Sequence, residues 1–332
     1  MLKEEDIRPL DLVKLQHGYV KEDIRWLQER KNEFIETACV ACNSEDYQLM
    51  YQKNGFSYVK CKQCETLFMN PRPSLKNLND FYRNSKNYKF WSKYIFPETE
   101  NARRKNIVKP RVDRIIEICK KHNIDTDTIV EIGSAYGSFC EEMMERNKFK
   151  NVIAVEPTPD LAAICRKKGL KVIESMVELI PEEELKANVI VNFEVIEHLF
   201  DPRNFLLSMK KNIKNGGLLI LSCPNGEGFE MMEMGVESTT LDHEHLNYFN
   251  TKSLPILMET IGFEILEVLT PGVLDADIVR KGLINQQVKE DLFLKKILVD
   301  AWGEYGDNFQ KFLQDNLLST HMWIVARIAL VD

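Results

Sequence analysis

Three kinds of run are missing from these 332 residues: a long apolar run, a basic run, and the apolar core of a signal peptide. A membrane-spanning helix needs roughly 20 consecutive apolar residues, and no stretch reaches that length. The net charge is −7 without a basic cluster, which argues against a nucleic-acid-binding surface. The N-terminus, MLKEEDIRPL, is rich in charge. We therefore expect a soluble cytoplasmic protein with no membrane or nucleic-acid partner.

Four of the eight cysteines form two close pairs, CVAC at 39–42 and CKQC at 61–64. Each pair can direct two thiolates at one point, and two such turns make a tetrahedral site. We predict a zinc site of Cys39, Cys42, Cys61 and Cys64, which is structural because four thiolates leave no open position. Disulfides and a redox pair are the alternatives, and the expected cytosolic setting disfavours disulfides. The other four are predicted to be small buried residues: Cys119, Cys140, Cys165 and Cys223.

The length suggests roughly two domains, and a 44% hydrophobic content is enough for a sizeable core. We predict a helical arm at 1–37, with an amphipathic helix over 21–36, and a zinc-binding module at 38–72. MNPRPS at 69–74 is interpreted as a stop and a linker. Residues 73–110 are an aromatic linker or lid. Its aromatic side chains either line a lid over a ligand or pack between domains: Tyr82, Tyr88, Trp91 and Tyr94.

Apolar runs and helical patterns alternate from residue 127 onward. The predicted strands lie in DTIVEI, NVIAVEP, GLKVIES, ANVIVNFEV and GGLLILSCPN, and helices fit in PDLAAICRKKG and DPRNFLLSMKKNIKN. Such alternation predicts an α/β fold, a parallel sheet with helices on both faces. Ligands of such sheets bind at the carboxyl ends of the strands.

The first strand ends in a glycine-containing loop, Glu131-Ile-Gly133-Ser-Ala-Tyr-Gly137. This is not the dinucleotide G-x-G-x-x-G, and no lysine follows that would indicate a nucleoside triphosphate. Gly133 would let the backbone approach a ligand, and Gly137 would permit the turn into a helix. Glu156 lies 23 residues after Gly133, at the end of the next strand. An acid there can accept hydrogen bonds from both ribose hydroxyls.

EIGSAYG, VIAVEP, FEVIEHLFDP and GGLLILSCPN together resemble class I S-adenosylmethionine-dependent methyltransferases. The resemblance implies a Rossmann-like seven-stranded sheet over a core at 111–270, with the last strand antiparallel and formed by THMWIVARIAL, 320–330. It implies S-adenosylmethionine as cofactor. The residues implied to bind it are Glu131, Gly133, Ser134, Tyr136, Gly137, Glu156, Pro157, Met176, Asn192, Phe193 and Glu194.

The stretch LDHEHLNYF at 241–249, together with the zinc module and core, is similar to sugar C-methyltransferases of deoxysugar and surface-polysaccharide pathways. That family's loop commonly begins Tyr-His-Glu-His, and here Asp242 stands in place of the tyrosine. C-, O- and N-methylation therefore stay open, and the implied acceptor is a sugar or a nucleotide-linked sugar. His198, in EVIEHL, also matches a histidine of the family's active site.

A hydroxyl or carbon acid must lose a proton before it attacks a sulfonium, and a histidine can take that proton near neutral pH. We predict His245 as the general base, assisted by Glu244 and His198, with a smaller role for His243. A structural polar loop and a metal site are the alternatives. If the loop is extended, His243 and His245 would share one side and Glu244 would lie on the other.

Residues 271–332 are predicted to hold a helical insertion and the last strand. Within it, TPGVLDADIVRKG is interpreted as a loop or lid edge, and DLFLKKILVDAWGEYGDNFQKFLQD as an amphipathic helix. The insertion would shape the acceptor site or form an oligomer contact. Two rival functions are an RNA methyltransferase and a binding protein that kept the cofactor fold without catalysis.

Overall fold

The computed structural model describes residues 4–182, 184–289 and 291–328. Its N-terminal part contains helices α1 (Glu4–Ile7) and α2 (Leu10–Gln28), followed by strands β1 (Tyr47–Lys53), β2 (Phe56–Cys61) and β3 (Leu67–Met69). The helix predicted over 21–36 was wrong in its bounds: it begins eleven residues earlier and ends at Gln28. Leucines continue the apolar pattern back to residue 10, and a short 3₁₀ turn, Lys31–Glu33, replaces its last part. The beginning of the predicted arm, 1–3, lies outside the described residues.

β1, β2 and β3 form an antiparallel sheet around a tight turn. Asn54 and Gly55 join β1 to β2 with φ of +53° and +78°, the conformation that a two-residue hairpin turn requires. The two cysteine pairs lie in turns that share the same backbone geometry. Asn43 follows one pair and Glu65 the other, both with positive φ, and each donates its N–H to the carbonyl of the first cysteine of its pair.

The interpretation of 69–74 as a linker was wrong. Met69 belongs to β3, and Arg72 is fully buried. The backbone of Arg72 exchanges two hydrogen bonds with Ile35, at 2.9 and 3.0 Å, so the segment is tied to the N-terminal arm. Proline and arginine suggested an exposed connection, but the guanidinium group finds carbonyl acceptors inside the protein.

The aromatic segment is helical. It comprises α3 (Leu75–Asn84), α4 (Lys86–Phe90), α5 (Phe96–Arg103) and α6 (Lys109–Lys121), joined by π-helical turns at Trp91–Ile95 and Arg104–Val108. Ser85 separates the first two helices and caps the second, because its hydroxyl accepts a hydrogen bond from the N–H of Tyr88 at 3.0 Å. Buried Asp23 of α2 accepts from the Ser85 hydroxyl at 2.6 Å, which fixes this corner against the arm.

The rest of the chain forms an α/β unit. Its elements are β4 (Thr128–Ile132), α7 (Ser138–Arg146), β5 (Asn151–Val155), α8 (Pro159–Lys167), β6 (Lys171–Ile173), β7 (Ala187–Phe193), α9 (Pro202–Lys210), β8 (Ile213–Pro224), α10 (Phe229–Met234), β9 (Asn247–Tyr248), α11 (Ser253–Thr260), β10 (Phe263–Leu269), α12 (Asp275–Ile284), α13 (Leu292–Lys295), α14 (Trp302–Asp315) and β11 (His321–Ile328).

Among the described residues, seven strands form one sheet in the order β10-β11-β8-β7-β4-β5-β6. β4 to β8 are parallel, whereas β11 is antiparallel to both of its neighbours, which confirms the predicted fold class. The predicted last strand covers 321–328, and positions 329 and 330 lie outside the described residues. The helix predicted to run through DPRNFLLSMKKNIKN ends at Lys210, because β8 already begins at Ile213.

The insertion between β10 and β11 differs from both of its predictions. The stretch from 270 to 282, interpreted as a loop or lid edge, contains most of helix α12, whose buried face includes Ala276 and Val279. The single amphipathic helix predicted after it is instead α13, a π-helical turn at Lys296–Asp300 and α14. These helices bury their apolar side chains against α10 in a cluster of their own.

Both faces of the seven-stranded sheet are covered by apolar clusters, one of which also contains Cys39, Cys61 and Cys64. Within the described part of the chain, no helix combines the length and the apolar character needed to cross a bilayer.

Candidate active site

The glycine loop after β4 has the backbone that its sequence predicts. Gly133 and Gly137 have φ of +76° and +66°, where glycine is favoured. A Cβ on Gly133 would lie 2.9 Å from Cγ2 of Val195, and one on Gly137 would lie 2.5 Å from Cδ1 of Leu170. Neither position has room for a side chain. The loop therefore keeps bare backbone at the carboxyl end of β4, where a ligand can approach closely.

Glu156, at the end of β5, holds this loop in place. Its Oε2 accepts a hydrogen bond from the N–H of Ala135 and its Oε1 one from the N–H of Thr158, both at 2.8 Å. Burial raises the pKa of Glu156, while the backbone hydrogen bonds act in the opposite direction. An ionised carboxylate has about four lone-pair sites. Glu156 can therefore order the loop and still accept hydrogen bonds from a ligand's hydroxyl groups.

Asn192 and Phe193 end β7 beside the loop. The Asn192 amide donates to the carbonyl of Ile132 at 2.8 Å, and its own Oδ1 is buried without a hydrogen-bond partner. The ring of Phe193 packs between Phe139 and Trp323, with centroids 5.1 and 5.6 Å away. Any contact of Phe193 with a cofactor would therefore be made by its backbone.

Two carboxyl groups flank this strand end. Burial raises the pKa of Glu131 to about 8, and its Oε2 accepts a hydrogen bond from the Cys140 thiol at 3.2 Å. Glu194 has a φ of +55°, accepts from the Ser222 hydroxyl at 2.5 Å and lies 3.3 Å from Nδ1 of His321. Burial opposes ionisation of Glu194, but the neighbouring His321 holds its pKa below the ordinary value.

The remaining residues predicted for the cofactor differ in accessibility. Ser134 is buried, with its hydroxyl 3.8 Å from the Cys165 sulfur. Pro157 is exposed, and Met176 is 47% exposed beyond β6, where it can cover only the edge of a ligand. Tyr136 donates its hydroxyl to the carbonyl of Ser92, which binds the glycine loop to the aromatic segment.

The aromatic segment extends from the glycine loop to the histidines. Burial and the nearby Glu156 carboxylate raise the pKa of Tyr88 to about 12, and the Tyr82 ring lies 6.3 Å from that of His198. Trp91 packs on Phe96, and Tyr94 is 44% exposed. Tyr82 and Tyr88 therefore lie beside the candidate site, while Tyr82 and Trp91 also pack against neighbouring aromatic side chains, so both alternatives stay open.

The part of the loop before β9, residues 241–246, is a turn rather than an extended strand. The Asp242 carboxylate accepts hydrogen bonds from the N–H groups of Glu244 and His245, at 2.8 and 3.0 Å. The Tyr248 hydroxyl accepts from the Asp242 N–H, and the Tyr58 hydroxyl donates to the Asp242 carbonyl. Burial opposes ionisation, yet nearby histidines hold the pKa of Asp242 below its ordinary value. The aspartate that replaces the expected tyrosine thus organises the turn.

His198 and His245 meet in this turn, with ring centroids 4.6 Å apart. Nδ1 of His198 lies 3.1 Å from the carbonyl of Glu244, and Nδ1 of His245 lies 2.8 Å from the carbonyl of Thr240. Because a carbonyl only accepts, each Nδ1 must carry a proton, and in the neutral form of each ring the lone pair is on Nε2. Burial and the second ring lower the pKa of His198 to about 4.

Glu197 lies beneath the two rings. Its side chain is almost fully buried, both carboxyl oxygens lack a hydrogen-bond partner, and Oε1 is 4.0 Å from Nε2 of His198. Burial and the neighbouring Glu194 raise its pKa well above the ordinary value. A protonated Glu197 could donate a hydrogen bond, whereas an ionised one would need a cation or a positively charged ring.

His243 and Glu244 lie on another side of the turn. Nε2 of His243 is buried without a hydrogen-bond partner, and it is 3.8 Å from Oε1 of Glu244. The same carboxylate oxygen accepts from the Asn87 amide at 2.6 Å. The expectation that both histidines share one side held only for an extended loop, and the turn at Asp242 does not meet that condition. Glu244 reaches His198 through its backbone carbonyl instead of its carboxylate.

Among the residues that the structure describes, two groups of side chains could hold a metal ion. The four sulfurs of the paired cysteines all lie within 4.8 Å of one another, with Cys39 3.4 Å from Cys64 and Cys42 3.6 Å from Cys61. All eight cysteines are free, and four convergent thiols fit a structural zinc ion. The second group is one oxygen of Glu197 with one ring nitrogen each of His198 and His245.

Sequence reasoning missed several residues of the site. Glu197 lies in EVIEHL directly before His198, and an acid beside that histidine was a usable signal. No sequence signal pointed to Asn87 or Thr240. Asn87 contacts Glu244, which lies 157 positions later, and Thr240 contacts His245, five positions later, through its backbone carbonyl. Arg72 and Asn247, which lie behind the histidines, were also missed.

The comparisons with known proteins point to one family. The family described as "Methyltransferase domain" matches residues 100–268, half of the chain. A "Probable S-adenosylmethionine-dependent methyltransferase" of Mycolicibacterium smegmatis is 33% identical over 90 residues, which cover 27% of this chain and 34% of the relative. The C-methyltransferase NovU of Streptomyces niveus is 25% identical over 173 residues, 50% of this chain and 40% of the relative. The chain thus spans between a third and two fifths of these two relatives.

One similar solved structure is an S-adenosylmethionine-dependent methyltransferase from Archaeoglobus fulgidus. It is 18% identical with a TM-score of 0.47, over 71% of this chain and 100% of that one.

Proposed function

Because the chain belongs to the class I S-adenosylmethionine-dependent methyltransferase domain family, we propose that it transfers a methyl group from this cofactor to a small-molecule acceptor, a sugar or nucleotide-linked sugar. One observation carries the proposal: Glu156 and the glycine loop converge at adjacent strand ends, joined by the hydrogen bond from Ala135. We also propose residues 38–72 as a zinc-binding module and 111–270 as the cofactor-binding core.

The cofactor is proposed to lie across the carboxyl ends of β4, β5 and β7. Gly133, Ser134 and Gly137 would line its methionine part, and the Glu156 carboxylate would accept hydrogen bonds from the ribose hydroxyls. Met176 would cover the adenine edge, and the backbone of Asn192-Phe193-Glu194 would lie under the sulfonium. The bare backbone of the loop and the spare lone pairs of Glu156 support this arrangement.

His245 is proposed as the general base, with His198 and Glu244 assisting. In the transfer, the methyl carbon–sulfur bond breaks, a bond from the methyl carbon to the acceptor atom forms, and the sulfonium becomes a thioether. The acceptor's proton passes to Nε2 of His245. The hydrogen bond from Nδ1 to the Thr240 carbonyl supports this role, because it leaves the Nε2 lone pair available. The side chain is 17% exposed and so can be reached by an acceptor.

The sugar acceptor is supported by the loop's match at His243, Glu244, His245, Tyr248 and Phe249, and by the similarity to a C-methyltransferase. Here Asp242 organises the turn, so its carboxylate is occupied by the backbone. Whether oxygen or carbon is methylated is left to experiment.

The test is incubation with methyl-labelled S-adenosylmethionine and a panel of nucleotide-linked sugars, followed by mass spectrometry. We expect S-adenosylhomocysteine and a labelled sugar. Label transferred only to structured RNA at low salt would overturn the sugar acceptor in favour of an RNA methyltransferase. Cofactor binding without turnover on any acceptor would favour a binding protein. Exchange of an acceptor C–H with deuterium, in the presence of a cofactor analogue, would identify carbon as the reacting atom.

A further inference from the structure

Arg72 lies fully buried behind the histidine turn, and its side chain is occupied by three groups there. Nε donates to the carbonyl of Met69 at 3.2 Å, Nη1 to Oδ1 of Asn247 at 3.0 Å, and Nη2 approaches the carbonyl of Leu246 at 3.5 Å. In the described part of the chain, no carboxylate lies within ion-pairing distance of the guanidinium. Burial lowers the pKa of Arg72 to about 10, while the nearby Cys39 thiolate acts in the opposite direction. A buried cation is costly to keep, so its hydrogen bonds must compensate for lost hydration.

Asn247 connects Arg72 to a second chain segment, residues 196–199. While its Oδ1 accepts from Arg72, its Nδ2 lies within hydrogen-bonding distance of three carbonyls, those of Ile196, Glu197 and Leu199, at 3.2, 3.4 and 2.8 Å. These carbonyls belong to the 3₁₀ turn that carries His198. The N–H of Leu246 also donates to the carbonyl of Glu197 at 2.8 Å. One amide therefore joins the two chain segments that carry the paired histidines.

The backbone connects the same region to the zinc module. β9, which contains Asn247, pairs with β3 of the module's sheet, and the N–H of Met69 donates to the carbonyl of Leu246 at 2.9 Å. The amide of Asn250 donates to the carbonyl of Cys64 at 3.1 Å. The module thus contacts the segment directly after His245, residues 246–250.

We propose that Arg72 is a positioning residue for the acceptor site, which acts through Asn247 to fix the spacing between the turn that carries His198 and the loop that carries His245. The inference rests on the proposed function for what the histidines do, but not for how they are held. A guanidinium group suits this role because its planar donors reach several acceptors at fixed angles, which one ammonium group cannot reproduce. Displacing a reacting group by about 1 Å can cost on the order of 10²-fold in rate.

The test compares Arg72→Lys and Arg72→Met with a matched control, Arg104→Met. Arg104 is a partly buried arginine whose guanidinium is likewise held by several polar groups, but these are Glu141, Glu142 and Glu145 of α7. We expect both Arg72 variants to bind zinc and S-adenosylmethionine as the wild type does, while kcat falls roughly 10-fold for Lys and 100-fold for Met. The control should lose thermal stability without a comparable loss of kcat.

Nitrogen-15 spectra of the imidazoles give a readout that does not depend on turnover. In the wild type, the Nδ1 atoms of His198 and His245 should both carry a proton, and the Arg72 variants should show mixed tautomers. Asn247→Ala should produce the same spectral change. If Arg72 acts through Asn247, Arg72→Met combined with Asn247→Ala should lose no more kcat than the worse single variant.

Unchanged imidazole spectra and kcat in folded Arg72→Met protein would overturn the inference, and so would fully additive losses. If that variant does not fold, Arg72→Lys and Asn247→Ala decide the question by the same readouts. If the wild type methylates nothing but its imidazole spectra still depend on Arg72, the proposed function fails while the positioning role stands.

Discussion

Replacing Glu156 by alanine is the sharpest test of the proposed cofactor site. The carboxylate accepts two backbone hydrogen bonds at 2.8 Å and is proposed to accept two more from the ribose. A hydrogen bond to a charged group contributes about 1.5–3 kcal/mol, and part of it is recovered when water fills the space. We expect Glu156→Ala to weaken S-adenosylmethionine binding by about 2–4 kcal/mol, roughly 30- to 1,000-fold in Kd.

The variant also removes the acceptor of the Ala135 and Thr158 N–H groups, so some of the loss would arise from a loosened loop. Glu156→Gln separates the two effects, because its amide oxygen can still accept one backbone hydrogen bond but carries no charge. Glu174→Ala is the matched control: this carboxylate also follows a strand of the sheet, β6, but it is paired with Arg166 near the surface. Calorimetric titration with S-adenosylhomocysteine measures all three affinities. A Kd of Glu156→Ala within threefold of the wild type would refute the ribose assignment.

Three further perturbations test other parts of the protein. His245→Ala should retain cofactor affinity and lose roughly 10²–10⁴-fold in kcat in steady-state assays, with a smaller loss for His243→Ala; equal losses would remove His245 from its role. Cys61→Ser should lower bound zinc from one equivalent to none, as measured by elemental analysis. Because β3 pairs with β9, the same change should speed amide hydrogen exchange at 242–250 as well as in the module. Unaltered protection from exchange at 242–250 would contradict this coupling. Burial raises the pKa of Glu230 to about 7 from an ordinary 4.5, so the folded state favours the protonated form and that stability is lost as pH rises through 7. We therefore expect the free energy of unfolding of Glu230→Gln to exceed that of the wild type by up to about 3 kcal/mol at pH 8.5, and to be nearly the same at pH 4. Chemical denaturation at both pH values measures these free energies. An equal difference at both pH values would show that ionisation is not the cause.

The features that sequence predicted well are those fixed by nearby residues. Gly133 and Gly137 occupy positions with positive φ, a demand of the local backbone that glycine meets. Glu156 could be expected at a strand end because the alternation of apolar runs predicts parallel strands, whose carboxyl ends share one edge. The two C-x2-C pairs predicted that four thiols converge, and their sulfurs lie within 4.8 Å of one another.

Local signals also account for two differences between the sequence-based expectations and the structure. The Asp242 carboxylate accepts hydrogen bonds from the N–H groups of Glu244 and His245, and aspartate commonly starts such turns. The shared side for His243 and His245 was expected only for an extended loop. The segment interpreted as a loop or lid edge includes Pro271 and Gly272, but Asp275 and Asp277 that follow suit the first turn of a helix, α12.

The histidine pair could not be derived from spacing, because it depends on how distant segments meet. His198 and His245 are 47 positions apart, and their approach is set by Asn247, which contacts three carbonyls near one histidine while lying two residues from the other. Arg72 holds Asn247 from a third segment, 175 residues away. Each contact is favourable only when the others have formed, because a buried guanidinium or amide is costly without all its partners. The segment that carries the four paired cysteines shares a sheet with the histidine region, because β3 pairs with β9. A zinc ion held by those cysteines, as proposed, would therefore act on the geometry of the candidate active site through this sheet.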